Sequence, residues 1–355
     1  MSDPNSLPGI VGEAPRPTSP RAAVLAISGM ATALLLAVLT FVPLPYTIDR
    51  AGPTFDVLAS HDGTTLLNLT GVTTYPATGQ LRVTTVAVSS GSHGHLPFGA
   101  VLGAWLSPDS AVFPENSEGG GSVQEEWVSS QEMAEVAALA HQGVDVPALI
   151  SVAGIEPSSH AANFLEKGDE IVSINGTAIT TYPDLDLAMG AVKVGDFVTV
   201  TVRRAGNELT ETFPTQDDGH GRPVMGIWVD PQFTFPFTLN IGIDNVGGPS
   251  GGAMFALAII DLLTPEDELH GQKVAGTGTI DIAGSIGPIG GIALKMIGAS
   301  DAGAQWFLAP ASNCPEVRGH VPGGLKVIAV ATLDEAYDAM VAIGAGDASS
   351  LPTCG

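Results

Sequence analysis

Residues 235–263 read FPFTLNIGIDNVGGPSGGAMFALAIIDLL, and this stretch decides the fold of the C-terminal half of the chain. Its pattern predicts a strand over residues 238–243 and an apolar helix over residues 252–263. Ser250 lies at the junction, where a hydroxyl meets backbone N–H groups and the positive end of a helix dipole. An oxyanion is stabilised in such a place, so Ser250 is a candidate nucleophile. The alternative is that it only caps the helix, a common role of serine.

A serine nucleophile needs a base, and one of the five lysines of the chain stands out. Lys295 lies in GGIALKMIGA, residues 290–299, where the neighbours three and four positions away on a helix are glycine, isoleucine and alanine. No carboxylate can pair with it locally, and a desolvated ammonium loses its proton more readily. Lys295 is therefore a candidate general base near neutral pH. The alternative is a lysine that lays its stem along an apolar face and keeps its charge in water.

Three motifs occur in the order GPSGG (248–252), GTGTI (276–280) and GPIGG (287–291), the last shortly before Lys295. In this order they resemble the proteolytic domain of the Lon family of Ser-Lys peptidases. The resemblance implies an α/β (α+β) proteolytic domain over residues 218–346, of a kind that commonly forms homo-oligomeric rings. It also implies individual roles: Ser250 as nucleophile, Lys295 as base, Thr277 as the residue that positions the lysine, and Gly248, Pro249 and Gly251 as the nucleophile and oxyanion loop.

The sequence departs from the family pattern at Gly251, where alanine is usual, and at residues 292–294, where the family is more charged. It contains no G-x-x-x-x-G-K-[ST] nucleotide-binding motif. The chain resembles one branch of the family more closely, the membrane-anchored bacterial proteins that carry a PDZ domain and have no ATPase module. Like them, it has a PDZ-like segment, described next, and lacks an ATPase module. We therefore expect activity without ATP, on peptides or unfolded proteins.

The PDZ-like segment covers residues 131–217 and should be mainly β. Residues 168–176, GDEIVSING, form a polar turn, a strand and an Asn-Gly turn, and residues 182–189 suit a short helix. These features resemble a PDZ domain, which binds extended peptides by adding a strand to a sheet edge beside a helix. The resemblance implies a peptide groove between one strand and that helix, lined by Leu149, Ile150, Ser151, Val152, Leu185 and Met189.

An uncharged, apolar run at residues 22–42 is long enough to cross a membrane once, since about 21 helical residues span about 30 Å. Arg16 and Arg21 precede the run, which predicts a cytoplasmic N-terminus and extracytoplasmic domains. A cleaved signal peptide is the alternative, but its apolar region is normally shorter. The expected parts are a cytoplasmic disordered tail (1–21), a transmembrane helix (22–44), a β-rich segment (45–130), the PDZ domain (131–217), the proteolytic domain (218–346) and a C-terminal tail (347–355).

Within the β-rich segment, residues 81–88 (LRVTTVAV) predict a strand that pairs into the protease sheet, which would make the PDZ domain an insertion. Residues 129–140 predict a helix with a serine cap. Residues 116–122 read as a flexible loop. His93 and His95 have no third ligand at a useful spacing, so we predict no metal and no cofactor.

Cys314 and Cys354 are too few for a disulfide scaffold. They either form one disulfide, which could contribute about 4 kcal/mol, or remain two free thiols. The net charge of −24 excludes nucleic acid as a partner, because a phosphate backbone would be repelled.

Two other functions fit parts of the pattern. Ser250 also lies in a G-x-S-x-G motif, followed by Asp301 and His320 in the order used by α/β-hydrolases, but too few residues remain for that fold. A non-catalytic, membrane-tethered PDZ scaffold with an inert peptide-binding domain is the other alternative. The sequence favours a membrane-anchored, ATP-independent serine endopeptidase.

Overall fold

The computed structural model describes residues 20–61, 64–90, 95–114, 123–242 and 247–354. Several predicted features lie outside those residues: the tail up to residue 19, His93, the loop 116–122, and Asp244 and Asn245, which we expect to shape the loop over Ser250 without taking part in chemistry. The chain divides into two compact units, the first comprising Met1–Ile48 and Val88–Glu118 and the second Asp49–Ala87 and Gly119–Gly355.

The helices are α1 Pro20–Thr40, α2 Phe98–Trp105, α3 Val123–His141, α4 Pro183–Met189, α5 Gly252–Leu263, α6 Ile292–Asp301, α7 Cys314–Val317 and α8 Leu333–Ala345. The strands are β1 Pro43–Leu44, β2 Tyr46–Asp56, β3 Ser60–His61, β4 Thr64–Thr65, β5 Leu67–Thr70, β6 Gln80–Ser89, β7 Leu96–Pro97, β8 Ser110–Pro114, β9 Ala148–Ile155, β10 Glu170–Ile174, β11 Thr177–Ala178, β12 Phe197–Arg204, β13 Asn207–Pro214, β14 Gln216–Asp217, β15 Pro223–Val224, β16 Ile227–Phe233, β17 Thr238–Ile241, β18 Lys273–Gly276, β19 Thr279–Ile280, β20 Ile286–Gly287, β21 Trp306–Pro310 and β22 Lys326–Val330.

Helix α1 of the first unit is apolar and has no buried residue, and its mean hydropathy reaches 2.4. It is a candidate membrane span or signal sequence by length and composition. The helix ends at Thr40, earlier than the predicted end at residue 44. Pro43 explains the difference, because proline has no backbone N–H and the residue before it avoids helical geometry. Residues 43 and 44 instead form β1, which pairs with β7.

In the main sheet, the strands of the second unit run in the order β22, β21, β18, β6 and β2. Strand β6 pairs in parallel with β18, so that Leu81 lies opposite Val274 and Val83 opposite Gly276. The predicted strand at residues 81–88 therefore belongs to the same sheet as strands that lie far away in sequence. The PDZ sheet, from β9 to β16, therefore lies in the sequence between β6 and β18, two strands that pair with each other.

Helix α5 lies in the centre of the largest hydrophobic core, and its residues 252–262 are all buried. Helix α3 packs against it through a stripe that includes Ala134, Ala138 and Leu139. The predicted helix at residues 129–140 thus exists, but it begins at Val123, and the predicted serine cap is wrong because residue 129 lies inside the helix. Its apolar stripe packs in the same core as α5, and the predicted start of the PDZ domain at residue 131 stays a prediction.

The PDZ sheet is antiparallel, with the strand order β13, β12, β10, β9 and β16. Asn175 and Gly176 have φ angles of 50° and 82°, as the Asn-Gly turn predicts. The last strand, β16, ends at Phe233, beyond the predicted boundary at residue 217. It pairs along almost all of β9.

Candidate active site

Ser250 lies in a short 3₁₀ turn, Pro249–Gly251, that leads into helix α5. It is half-buried and is not the helix cap, because Gly251 occupies that position without a side-chain bond. Gly248 enters the turn with a φ of 83°, which glycine adopts at low cost. A Cβ atom on Gly251 would lie 2.9 Å from a ring carbon of Phe255, which accounts for glycine where the family usually has alanine.

Lys295 lies on helix α6 and is 3% exposed. Its Nζ donates to the Ser250 Oγ at 2.7 Å and to the Thr277 Oγ1 at 3.0 Å. Among the described residues, no carboxylate forms an ion pair with it. Burial lowers the pKa of Lys295 to about 8, because the charged ammonium loses its water. The structure thus brings together a hydroxyl and an amine that loses its proton easily.

Thr277 joins this pair through its hydroxyl, and it is 1% exposed. The hydroxyl accepts from Lys295 and donates its own proton to the Ser250 carbonyl oxygen at 2.9 Å. Because that proton is already committed, the hydroxyl oxygen faces the amine as an acceptor. This arrangement orients the lysine toward Ser250.

The carbonyl groups of the nucleophile turn are also held in place. The Ser250 carbonyl accepts from the backbone N–H of Gly278 at 2.8 Å, in addition to Thr277. The Pro249 carbonyl accepts from the Ser130 hydroxyl of helix α3 at 3.1 Å. Ser130 is a contact of the turn that sequence reasoning missed, and the only signal for it was a serine on an otherwise apolar helix face.

Comparison with known proteins agrees with this geometry. Residues 242–342 match the model of the Lon protease (S16) C-terminal proteolytic domain, and residues 131–213 match a PDZ domain model. The chain carries a Lon-type proteolytic domain and a PDZ domain.

The Lon-type domain has relatives among curated proteins named Lon protease. The one from Lachnoclostridium phytofermentans is 38% identical over 91 residues, which are 25% of this chain and 11% of the relative. The one from Rickettsia typhi is 28% identical over 179 residues, which are 48% of this chain and 23% of the relative. The chain thus matches only a tenth to a quarter of the length of these relatives.

A solved structure is similar to the PDZ part. It is the PDZ domain of an SdrC-like protein from Listeria monocytogenes, which is 24% identical, with a TM-score of 0.21, over 22% of this chain and 85% of that chain. The assignment of the PDZ domain rests on the family model and on the strand order described above.

The predicted PDZ groove stays a prediction, and in the structure β9 has a neighbouring strand on each side. Strand β16 pairs with β9 from Ile227 opposite Ile155 to Phe233 opposite Ala148, and β10 lies on the other side. On the side of β16, Leu149, Ile150, Ser151 and Val152 are already paired, so an added peptide strand cannot use that edge. Leu185 and Met189 of α4 are half-buried and pack against the PDZ core.

The predicted triad alternative finds no support in the described part of the chain. His320 is exposed, and its Nδ1 lies 3.0 Å from the carbonyl oxygen of Glu316. Asp301 is exposed at the end of α6. The Ser250 hydroxyl contacts Lys295 instead. Across the described residues, no group of three His, Cys, Asp or Glu side chains could hold a metal ion.

We expect the Thr277→Val substitution to lower kcat by about 10- to 100-fold with little change in KM, because the lysine amine loses a hydrogen-bond acceptor. Thr277→Ser keeps the hydroxyl and should stay within about threefold of the original rate. Steady-state hydrolysis of a quenched fluorescent peptide measures both. Equal rates for the valine and serine variants would contradict a positioning role.

Proposed function

We propose that the chain is a membrane-anchored serine endopeptidase that uses a Ser-Lys dyad and needs no ATP. One observation supports the dyad above all: the buried Lys295 amine lies 2.7 Å from the Ser250 hydroxyl. A nucleophile and a base within hydrogen-bond distance, the base oriented by a third group, form the general arrangement for covalent catalysis. Here Thr277 is the third group.

In the proposed reaction, Ser250 Oγ attacks the carbonyl carbon of a peptide bond while its proton passes to the neutral Lys295 amine. Backbone N–H groups of the nucleophile turn, at the positive end of α5, stabilise the oxyanion. The C–N bond then breaks, Lys295 returns the proton to the leaving amine, and an ester to Ser250 remains. Lys295 next accepts a proton from water, which attacks the ester carbon. The bond between that carbon and the Ser250 Oγ then breaks, Lys295 returns the proton to the Oγ, and the acid product leaves.

Peptides and unfolded proteins are the proposed substrates. The printed sequence has no nucleotide-binding motif that would drive unfolding, so substrates should reach the site in a flexible state. A homo-oligomeric ring, implied by the resemblance to the Lon family, stays a prediction.

The PDZ domain is proposed to select substrates by strand addition, with the docking edge moved from β9 to β16. Strand β16 is the last strand of its sheet, and no described strand pairs with its outer edge. Its Ile227 and Val229 pack against the same core as Leu185 and Met189 of α4. Pro231 has no N–H, which shortens the stretch that an added strand can use.

Membrane attachment is proposed through α1, with the N-terminus in the cytoplasm. Support comes from the apolar length of the helix and from Arg16 and Arg21 before it. The disulfide between Cys314 and Cys354 agrees with an oxidising compartment for the proteolytic domain.

The pH dependence of hydrolysis should follow the lysine. Because the neutral amine is the base and burial lowers the pKa of Lys295 to about 8, kcat/KM should rise about tenfold per pH unit below pH 8 and level off above it. The measurement is peptide hydrolysis between pH 6 and pH 9.5, with circular dichroism at each pH to show that the fold is retained. A flat profile over this range would contradict the base.

An active-site label tests the proposed function directly. The full chain in phosphatidylcholine vesicles is treated with a fluorophosphonate, and the modified serine is located by mass spectrometry. We expect the adduct on Ser250, and hydrolysis of a quenched peptide at the same rate with and without ATP. No adduct and no hydrolysis would instead favour the inert scaffold.

A further inference from the structure

Helix α2 of the first unit is held at the C-terminal end of α1. The Phe98 N–H donates to the Val42 carbonyl at 2.8 Å, and β7, which leads into α2, pairs with β1, which follows α1. Gly99 packs so closely on Thr40 that a Cβ atom there would clash with the threonine methyl group. The two helices are therefore joined where the candidate membrane span ends.

The outer face of α2 carries large apolar side chains. Trp105 is 68% exposed and Leu106, directly after the helix, is 78% exposed, whereas the small inward residues Val101 and Ala104 are buried. Residues 96–108 contain no charged side chain. A helix that faces water normally shows the reverse distribution, with polar residues outward.

Phe41, between α1 and β1, is 77% exposed and extends the same kind of surface toward the span. Together with Phe98 and Leu102 of α2, which are 38% and 40% exposed, these side chains place several large apolar residues in solvent beside the candidate span, and such a concentration indicates a binding partner. The partner is expected to be lipid, because the surface continues from a helix that is itself apolar on every side. Tryptophan prefers the boundary between headgroups and acyl chains, which is where a span of this length ends.

We propose that α2 lies in the membrane interface, with Trp105 and Leu106 inserted into the outer leaflet. This inference rests on the proposed anchoring by α1. The interaction is apolar: the chain carries a net charge of −24, and no cation lies within residues 96–108, so attraction to anionic lipids is not required. Zwitterionic phosphatidylcholine should therefore suffice.

Tryptophan quenching in vesicles tests the inference. The full chain, which has four tryptophans, is reconstituted into phosphatidylcholine that carries bromine either near the headgroup end or near the middle of the bilayer. We expect the shallow bromine to quench part of the emission more strongly than the deep one. The Trp105→Phe variant should lose that quenched component. The matched control Trp228→Phe, at a 61% exposed site on the PDZ domain, should keep it.

Quenching in Trp105→Phe equal to that of the unchanged protein would overturn the inference. Carbonate extraction and peptide hydrolysis in the same vesicles separate its failure from that of the proposed function. A chain that resists carbonate and cleaves peptide while Trp105 remains unquenched contradicts only the placement of α2. A chain that carbonate releases contradicts the anchor, and with it the placement of α2, but leaves the peptidase proposal standing if hydrolysis persists.

Discussion

Ser250→Ala and Lys295→Met should each lower peptide hydrolysis by about four orders of magnitude or more, because the reaction loses its nucleophile or its base. Methionine fills the buried site of the lysine without a charge, so the melting temperature of the Lys295→Met variant should not fall. Lys295→Arg should be equally inactive, since a guanidinium cannot lose its proton in a protein. Hydrolysis of casein or of a quenched peptide, with a thermal melt of each variant, gives the result.

His320→Ala is the matched control for the dyad. The imidazole is exposed and contacts the Glu316 carbonyl, so its removal should leave the rate unchanged. Loss of activity in this variant would point to a triad. Activity that survives in Ser250→Ala would remove the serine mechanism altogether.

The second large effect should come from removing the disulfide between Cys314 and Cys354, which should lower the unfolding free energy. The disulfide joins positions 40 residues apart, and that loop includes β22 and α8. On loop-entropy arithmetic, the Cys314→Ala/Cys354→Ala double variant should lose about 4 kcal/mol of unfolding free energy. Urea denaturation followed by circular dichroism measures the loss.

Reduction of the unchanged protein is the control for the double variant, because it breaks the disulfide without replacing either cysteine. The reduced protein and the double variant should lose the same unfolding free energy. Other contacts still hold the C-terminal segment, including the Ala329 N–H to the Pro352 carbonyl at 2.9 Å, so the fold should persist. A loss below about 1 kcal/mol would show that these contacts are sufficient.

Local features were predictable because they depend on residues close together in the chain. The strand and helix around Ser250 were predicted from apolar periodicity, and α5 begins and ends at the predicted residues 252 and 263. The Asn-Gly turn at Asn175 was predicted from the positive φ that these residues accept. The Lon-type and PDZ assignments rested on motifs of the same local kind.

Helix α3 shows where this reasoning failed. Its serines suggested a helix start at residue 129, but the helix begins at Val123. In the structure it packs on α5, and Ser130 bonds to the Pro249 carbonyl, 119 residues away. No local sequence pattern predicts such a contact, because the apolar stripe of a helix does not specify which hydrophobic core it packs into.

Asp261 is a second residue whose surroundings local sequence patterns do not predict. It interrupts the apolar run of α5 and is only 1% exposed. Burial and the nearby Glu268 carboxylate raise the pKa of Asp261 well above its usual range. Glu268 in turn accepts from the Tyr337 hydroxyl at 3.0 Å. An aspartate in this sequence position could equally have faced water.

Residue types and spacing were thus enough to nominate Ser250 and Lys295, since each role follows from the chemistry of a side chain and its neighbours along the chain. Thr277 was nominated only by the resemblance of the motif order to the Lon family. Only the folded chain shows the 2.7 Å contact between Ser250 and Lys295, the pairing of β16 with β9 and the packing of α3 on α5. These depend on packing between segments far apart in sequence, where many arrangements satisfy the same local preferences and burial of the whole core selects one.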